Sequence, residues 1–146
     1  MSRGTTVKPR RVAVLGASPD EGKPSHQAVV RYVAAGWTVW PVRPDGAAVA
    51  HVPSVRSLAD LPEPPDLICV YLNPRRALGE LDAIVATGCK ILWLNPGADS
   101  NADGGATLVA AATARGLRVI EACTLVVLSW GDPWEVANDP SKIATA

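Results

Sequence analysis

The sequence has few of the residues from which metal centres and disulfide frameworks are built. Its three cysteines are an odd number at wide spacing, and its two histidines, His26 and His51, are isolated. Neither a patterned zinc site nor a disulfide framework follows from this arrangement. No apolar run approaches the roughly 20 residues that a membrane helix needs. The first ten residues are polar and basic, unlike a secretory signal. We therefore expect a cytoplasmic protein with no metal and no membrane partner.

The sequence also lacks an excess of charge of either sign, since 14 basic residues balance 14 acidic ones. Proteins that bind nucleic acid usually carry a basic stripe, so we expect no nucleic-acid partner. A local pocket for one phosphorylated ligand is still compatible with a neutral chain. The length of 146 residues and a hydrophobic fraction of 48% are typical of one globular domain.

What the sequence does contain is a regular alternation of short apolar runs and stretches with helical spacing. The apolar runs are residues 11–16, 37–42, 66–72, 90–94 and 117–121, and the helical stretches are 25–35, 73–86 and 104–115. Such alternation favours a parallel sheet covered on both faces. We predict a single Rossmann-like, doubly wound α/β domain with a mainly parallel sheet of about five to six strands. We place a flexible N-terminus at residues 1–9, the domain at 10–128 and a C-terminal tail at 129–146.

Local signals give the helix boundaries. Ser25 is predicted to cap the first helix, and Asn73 followed by Pro74 is a favourable start for the second. A further short strand is expected near His51–Val52, and one helical turn at Leu58–Leu61. Four residues of the first helix are predicted to face the sheet: Val29, Val30, Val33 and Ala34.

The segment Val12–Ser18 is the most informative one for function. A strand that ends in Gly16, followed by Ala17 and Ser18, presents backbone amides at the carboxyl edge of the sheet, where open α/β sheets bind ligands. These amides and the start of the next helix can hold a phosphate. A plain tight turn would have the same sequence. The full dinucleotide fingerprint is absent, because Ser18 and Glu21 stand where its second and third glycines belong.

Arg43 follows the second predicted strand, where an acidic residue would hold the ribose of NAD. An arginine at this place suits a phosphate on the ribose better than a free hydroxyl pair. Both NADP and coenzyme A carry such a phosphate. The alternative is that Arg43 is a solvated loop charge.

Short segments spread over about residues 10 to 123 match one family in their order and spacing. They are Val-Leu-Gly-Ala-Ser-Pro (14–19), Lys-Pro-Ser (23–25), Gly-Trp-Thr-Val-Trp-Pro-Val-Arg-Pro (36–44), Asn-Pro-Arg-Arg (73–76), Gly-Cys-Lys-Ile-Leu-Trp-Leu-Asn-Pro-Gly (88–97) and Gly-Leu-Arg-Val-Ile-Glu-Ala-Cys (116–123). The chain resembles the small stand-alone CoA-binding domain proteins. These are related to the CoA-binding domain of the succinyl-CoA synthetase α subunit.

The resemblance implies that the cofactor is coenzyme A or an acyl-CoA. The loop that begins at Gly16 would hold the diphosphate, the end of the second strand would meet the adenosine, and the turn after the third strand would contact the ligand from the other side. The residues implied are Gly16, Ala17, Ser18, Lys23, Ser25, Val42, Arg43, Pro44, Leu72, Asn73 and Arg75. One departure from the family is Asp45, where members often carry a lysine, and a carboxylate there would repel a phosphate.

No catalytic constellation stands out in the sequence, and the phosphorylated histidine domain of the synthetases is absent from it. We therefore expect a non-catalytic carrier, sensor or regulatory module. Two alternatives stay open at this point: an NAD(P)-binding module or small oxidoreductase, and a divergent domain without ligand that acts in protein interaction. A homodimer or a protein partner is also left open.

Overall fold

A computed structural model gives the fold of residues 10–98, 104–139 and 141–142. Five parallel strands form one sheet in the order β2-β1-β3-β4-β5. The strands are β1 (Arg11–Leu15), β2 (Thr38–Val42), β3 (Leu67–Val70), β4 (Ile91–Leu94) and β5 (Arg118–Glu121). The prediction of a doubly wound α/β fold is confirmed. The predicted flexible segment 1–9 lies outside the described residues.

The central strands are apolar on both sides because both faces of the sheet are covered by helices. Val12 and Val14 of β1 belong to one core, while Ala13 and Leu15 belong to the other. All four residues of β3 and of β4 are buried. Burial on both faces explains why the sequences of these strands are continuous apolar runs and do not alternate between apolar and polar residues.

The helices divide between the two faces. Helix α1 (Pro24–Ala34), α5 (Thr124–Trp130) and α6 (Pro133–Asn138) pack on one face, and α2 (Pro74–Gly79), α3 (Leu81–Ala86) and α4 (Gly105–Ala114) pack on the other. A single 3₁₀ turn at Leu58–Asp60 matches the predicted helical turn. Among the described residues, no helix has both the length and the apolar character needed to cross a bilayer.

The predicted start of the first helix is wrong, and of its predicted inner face only Val29 is buried. Lys23 is the N-cap and Pro24 takes the first helical position, where its missing N–H has no cost, so Ser25 lies inside the helix. The buried stripe is Ser25, Ala28, Val29 and Tyr32, with His26 beside it. Val30, Val33 and Ala34 are exposed. A serine and a tyrosine contribute to this stripe, which the apolar pattern of the sequence did not reveal.

Three further expectations need correction. The predicted helix 73–86 is divided into α2 and α3 at Glu80, directly after Gly79, a weak helix former. The expected strand near His51–Val52 is only an isolated bridge between Val49 and Val52. Beyond residue 128, α6 lies within the segment assigned to a tail, and its Val136 and Ala137 are fully buried.

Candidate functional site

A groove of about 640 Å³ lies at the carboxyl ends of β2, β1 and β3. Ligand pockets of small molecules and cofactors commonly have volumes of this order. The groove is lined by Leu15, Gly16, Ala17, Val42, Arg43, Pro44, Asp45, Arg56, Tyr71, Leu72, Asn73, Arg76 and Glu80.

The topology explains why the groove opens at this place. The chain leaves β1 through α1 to reach β2 on one side, and β3 pairs with β1 on the other side. The loops that follow β1 and β3 therefore diverge toward opposite faces of the sheet. In open α/β sheets this switch point is the usual position of the ligand.

Gly16 forms the floor of the groove in a conformation that favours glycine, with φ of +88°. Its N–H donates to the carbonyl oxygen of Val42 at 3.4 Å. A Cβ atom at Gly16 would lie 2.9 Å from Cδ2 of Leu72 and 3.3 Å from the Leu72 backbone nitrogen. The loop after β1 therefore packs directly against the turn after β3, and a side chain at Gly16 would force the Leu72 side chain to shift and would crowd the Leu72 backbone.

Beyond Ala17 the loop turns away from the groove. The Ser18 hydroxyl oxygen accepts a hydrogen bond from the Asp20 N–H at 3.1 Å. The Ser18 carbonyl oxygen lies 3.1 Å from Nδ1 of His26, and because a carbonyl can only accept, Nδ1 carries the proton. His26 is buried, since only 8% of this residue is exposed. The histidine fixes the loop to α1.

Arg43 crosses the groove on the β2 side. Its Nη1 donates to the carbonyl oxygen of Ala17 at 2.6 Å, and its Nε and Nη2 donate to the two carboxylate oxygens of Asp45 at 2.9 and 2.7 Å. Arg43 and the Ala47 N–H together lower the pKa of Asp45 to about 2. The effect of Asp45 on an anion is therefore not only direct repulsion. Its carboxylate also neutralises Arg43, which would otherwise attract the anion.

The opposite wall is the start of α2. The Asn73 side chain caps this helix by accepting from the Arg76 N–H at 2.9 Å, and Pro74 occupies the first helical position, as predicted. Arg76 lines the groove, whereas Arg75 does not. The adjacent arginines in the sequence gave no means of choosing between them, because the choice depends on how the helix is rotated against the sheet.

The structure brings together most of the residues implied by the sequence but not all of them. Gly16, Ala17, Val42, Arg43, Pro44, Leu72 and Asn73 share the groove. Ser18, Lys23, Ser25 and Arg75 are not part of its lining, and Ser25 is buried within α1. Arg56 and Arg76 also line the groove, although neither is among the predicted site residues. Arg56 comes from a loop whose neighbours in space could not be deduced from the sequence.

Next to the groove, the carboxyl end of β4 is closed by a buried polar network. The Asn95 side-chain oxygen accepts from the Thr124 N–H at 2.8 Å, and its amide nitrogen donates to Sγ of Cys69 at 3.0 Å. Sγ of Cys69 also lies 3.1 Å from the Thr124 hydroxyl. Burial raises the pKa of the Cys69 thiol to about 11. Asn95 thus caps α5 from a distant loop, which no local signal in the sequence indicated.

Two tyrosines complete this region. The hydroxyl groups of Tyr32 and Tyr71 are buried and have no hydrogen-bond partner among the described residues. Burial raises the pKa of both. Tyr71 also lines the groove, so the polar network and the groove are adjacent.

Comparison with known proteins agrees with this arrangement. A family model described as CoA binding domain matches residues 10–129. The chain belongs to this family. The expectation of such a membership from the sequence segments is confirmed, and membership supports coenzyme A binding in general.

Solved structures share the fold of this CoA binding domain. A Thermus thermophilus protein is 28% identical, with 81% of this chain and 87% of that chain covered and a TM-score of 0.71. A conserved hypothetical protein from Pyrococcus furiosus is 26% identical, with 77% and 92% covered and a TM-score of 0.68.

The dinucleotide-forming acetyl-coenzyme A synthetase 1 of Ca. Korarchaeum cryptofilum shares the fold as one part of a larger chain. It is 24% identical, with 76% of this chain but only 25% of the synthetase covered, and the TM-score is 0.65. The CoA binding domain described here therefore corresponds in fold to about a quarter of that enzyme.

Proposed function

We propose that the groove binds coenzyme A or an acyl-CoA and that the domain is a non-catalytic carrier, sensor or regulatory module. The observation that carries this proposal is the position of the groove. In a chain of the CoA binding domain family, it lies at the switch point of the sheet and is lined by the glycine loop, the end of β2 and the capped start of α2.

The residues of the groove suit the parts of the ligand. The Gly16–Ala17 backbone and Arg76 would hold the diphosphate, and Val42, Arg43 and Pro44 would meet the adenosine end. Ser18, Lys23 and Ser25 lie further along the same loop and the first turn of α1, and Arg75 lies beside Arg76. A ligand that extends beyond the groove would meet Ser18, Lys23 and Arg75, whereas Ser25 is buried.

Two of the three cysteines are poorly suited to covalent catalysis. Burial raises the pKa of Cys69 and of Cys89 to about 11, so both thiols are protonated near neutral pH and are poor nucleophiles. Nδ1 of His26 is held by the Ser18 carbonyl. Neither cysteine is among the residues that line the groove.

Thermal unfolding of the purified protein against coenzyme A, acetyl-CoA, NAD, NADP and ATP tests the proposal. A ligand that binds only the folded state stabilises it by RT ln(1 + [L]/Kd), which is about 2.7 kcal/mol at 100 times Kd. We expect a rise in Tm with the CoA species. A rise with NADP alone would favour the oxidoreductase alternative, and no rise with any nucleotide would favour a protein-interaction domain.

A matched pair of glycine variants links the binding to the groove. Gly16 and Gly36 have nearly equal φ values of +88° and +90°, but a Cβ at Gly36 would meet nothing within 4 Å. Gly16→Ala and Gly36→Ala should therefore share the strain of the left-handed backbone, about 1 kcal/mol each. Only Gly16→Ala also disturbs the contact with Leu72, so it alone should weaken CoA binding. Equal affinities in the two variants would contradict the assignment of the site.

A further inference from the structure

All three nitrogens of the Arg43 guanidinium already donate to the protein itself. Its Nε and Nη2 bind both oxygens of Asp45, and its Nη1 binds the Ala17 carbonyl. Parallel pairing of a guanidinium with two oxygens is also how arginine recognises a phosphate. The Asp45 carboxylate therefore presents to Arg43 the same pair of acceptor oxygens that a ligand phosphate would present.

The turn that contains Asp45 holds its carboxylate beside Arg43. Oδ1 of Asp45 also accepts from the Ala47 N–H at 3.0 Å, and the Gly46 N–H donates to the Arg43 carbonyl oxygen at 3.0 Å. Gly46 has a φ of +71°, and the Arg56 side chain packs against it. Because the turn places Asp45 beside Arg43, little conformational entropy is lost when the pair forms.

The Arg43–Asp45 pair lies where a substituent on the ribose of the ligand would be recognised. Arg43 follows directly after β2, and the residue after this strand is the one that meets the ribose in doubly wound nucleotide-binding sheets. The groove also holds Arg56 and Arg76, which Asp45 does not pair. The ribose end of the groove thus carries a neutralised arginine, and other cations remain for the diphosphate.

We propose that Asp45 is a specificity-determining residue that competes with the ribose 3′-phosphate of the ligand for Arg43. This inference rests on the proposed function of the groove. A phosphate that takes the parallel Nε–Nη2 pair of Arg43 must displace a carboxylate that is already in place, so the 3′-phosphate contributes little to affinity. The groove accepts coenzyme A and its analogue without the 3′-phosphate, dephospho-coenzyme A, about equally well.

Calorimetric titration of wild type and Asp45→Asn with coenzyme A, dephospho-coenzyme A and adenosine 3′,5′-bisphosphate tests this inference. The asparagine side chain keeps an oxygen to accept from the Ala47 N–H but loses the charge that neutralises Arg43. We expect the affinity for the two ligands with a 3′-phosphate to rise about fivefold, and the affinity for dephospho-coenzyme A to change less than twofold. Asp82→Asn is the control, since it breaks the exposed Arg115–Asp82 pair, which has the same 2.7 Å length and does not line the groove.

The outcomes separate this inference from the proposed function. Equal gains for all three ligands, or a wild type that already prefers coenzyme A strongly over dephospho-coenzyme A with no change in Asp45→Asn, would overturn the competition while leaving CoA binding intact. Failure of both coenzyme A species to bind either protein would overturn the proposed function. A gain for adenosine 3′,5′-bisphosphate alone would then still support the role of Asp45 toward a phosphorylated ribose.

Discussion

The carboxyl edge of the sheet is built in two different ways on its two sides. At β1 and β2, the loops stand apart around Gly16 and Arg43 and leave a groove. At β4, the side chain of Asn95 fills the corresponding space and binds the first turn of α5. Asn95 is 1% exposed, whereas the side chain of Asp45 is 56% exposed.

The difference shows what turns a strand end into a binding site. Every parallel strand that leads into a helix places free N–H groups at this edge. In the closed part of the edge, at β4, Asn95 accepts from the Thr124 N–H, so a free N–H group at the start of α5 has its partner within the protein. In the open part, at β1 and β2, Lys23 gives α1 no side-chain cap. The same topology therefore yields a structural cap at one strand and a candidate ligand groove at another.

The largest loss of stability should come from removing Asn95, the cap of α5. Asn95→Ala leaves the buried Thr124 N–H without its acceptor and removes the amide that donates to Cys69, and we expect a loss of about 3 kcal/mol in the free energy of unfolding. Asn73→Ala removes the exposed cap of α2 in the open part and should cost only about 1 kcal/mol. Urea unfolding of both variants measures the difference. Equal losses would mean that burial does not distinguish the two caps.

An intermediate effect should appear at alkaline pH. The ordinary pKa of a cysteine is 9.0 and the folded pKa of Cys69 is about 11. Between these values the unfolded chain loses the proton while the folded chain keeps it, so stability falls as pH rises through this window, by about 2 kcal/mol. Well below pH 9 the thiol is protonated in both states and has no effect on the slope.

Urea unfolding at pH 8 to 11 under reducing conditions measures this slope. Cys69→Ser cannot ionise in this range, so its stability should decline less steeply than that of the wild type. Cys89, whose pKa is also raised to about 11, is a counterpart on the opposite face of the sheet. Parallel slopes in the wild type and Cys69→Ser would contradict the prediction.

The smallest effect, and of opposite sign, is expected from Tyr32→Phe. The hydroxyl of Tyr32 is buried without a hydrogen-bond partner among the described residues, so its removal relieves a desolvation cost. We expect the free energy of unfolding to rise by about 0.5 to 1 kcal/mol, measured by thermal and urea unfolding. A loss of 1 kcal/mol or more would contradict the prediction and show that the hydroxyl is hydrogen-bonded in the folded protein.

Local sequence signals were sufficient where the physics is local. Asn73 and Pro74 start α2 as predicted, because a cap and a fixed φ act within one turn. The apolar runs marked all five strands for the same reason. The prediction that Val30 and Val33 face the sheet was wrong. Burial of Tyr32 in their place depends on how α1 is rotated against the sheet. The rotation of α2, which brings Arg76 and not Arg75 to the groove, has the same origin.

The sequence by itself determined the fold class, the family and the glycine at the floor of the groove, because periodicity, order of segments and the φ preference of glycine are written along the chain. Only the tertiary structure decided which charges meet. Arg43 and Asp45 are two residues apart, yet the third contact of Arg43 is the Ala17 carbonyl across the groove. Asn95 reaches Thr124 over a separation of 29 residues. Such contacts depend on the distance between loops in space, which the packing of the sheet and its helices sets.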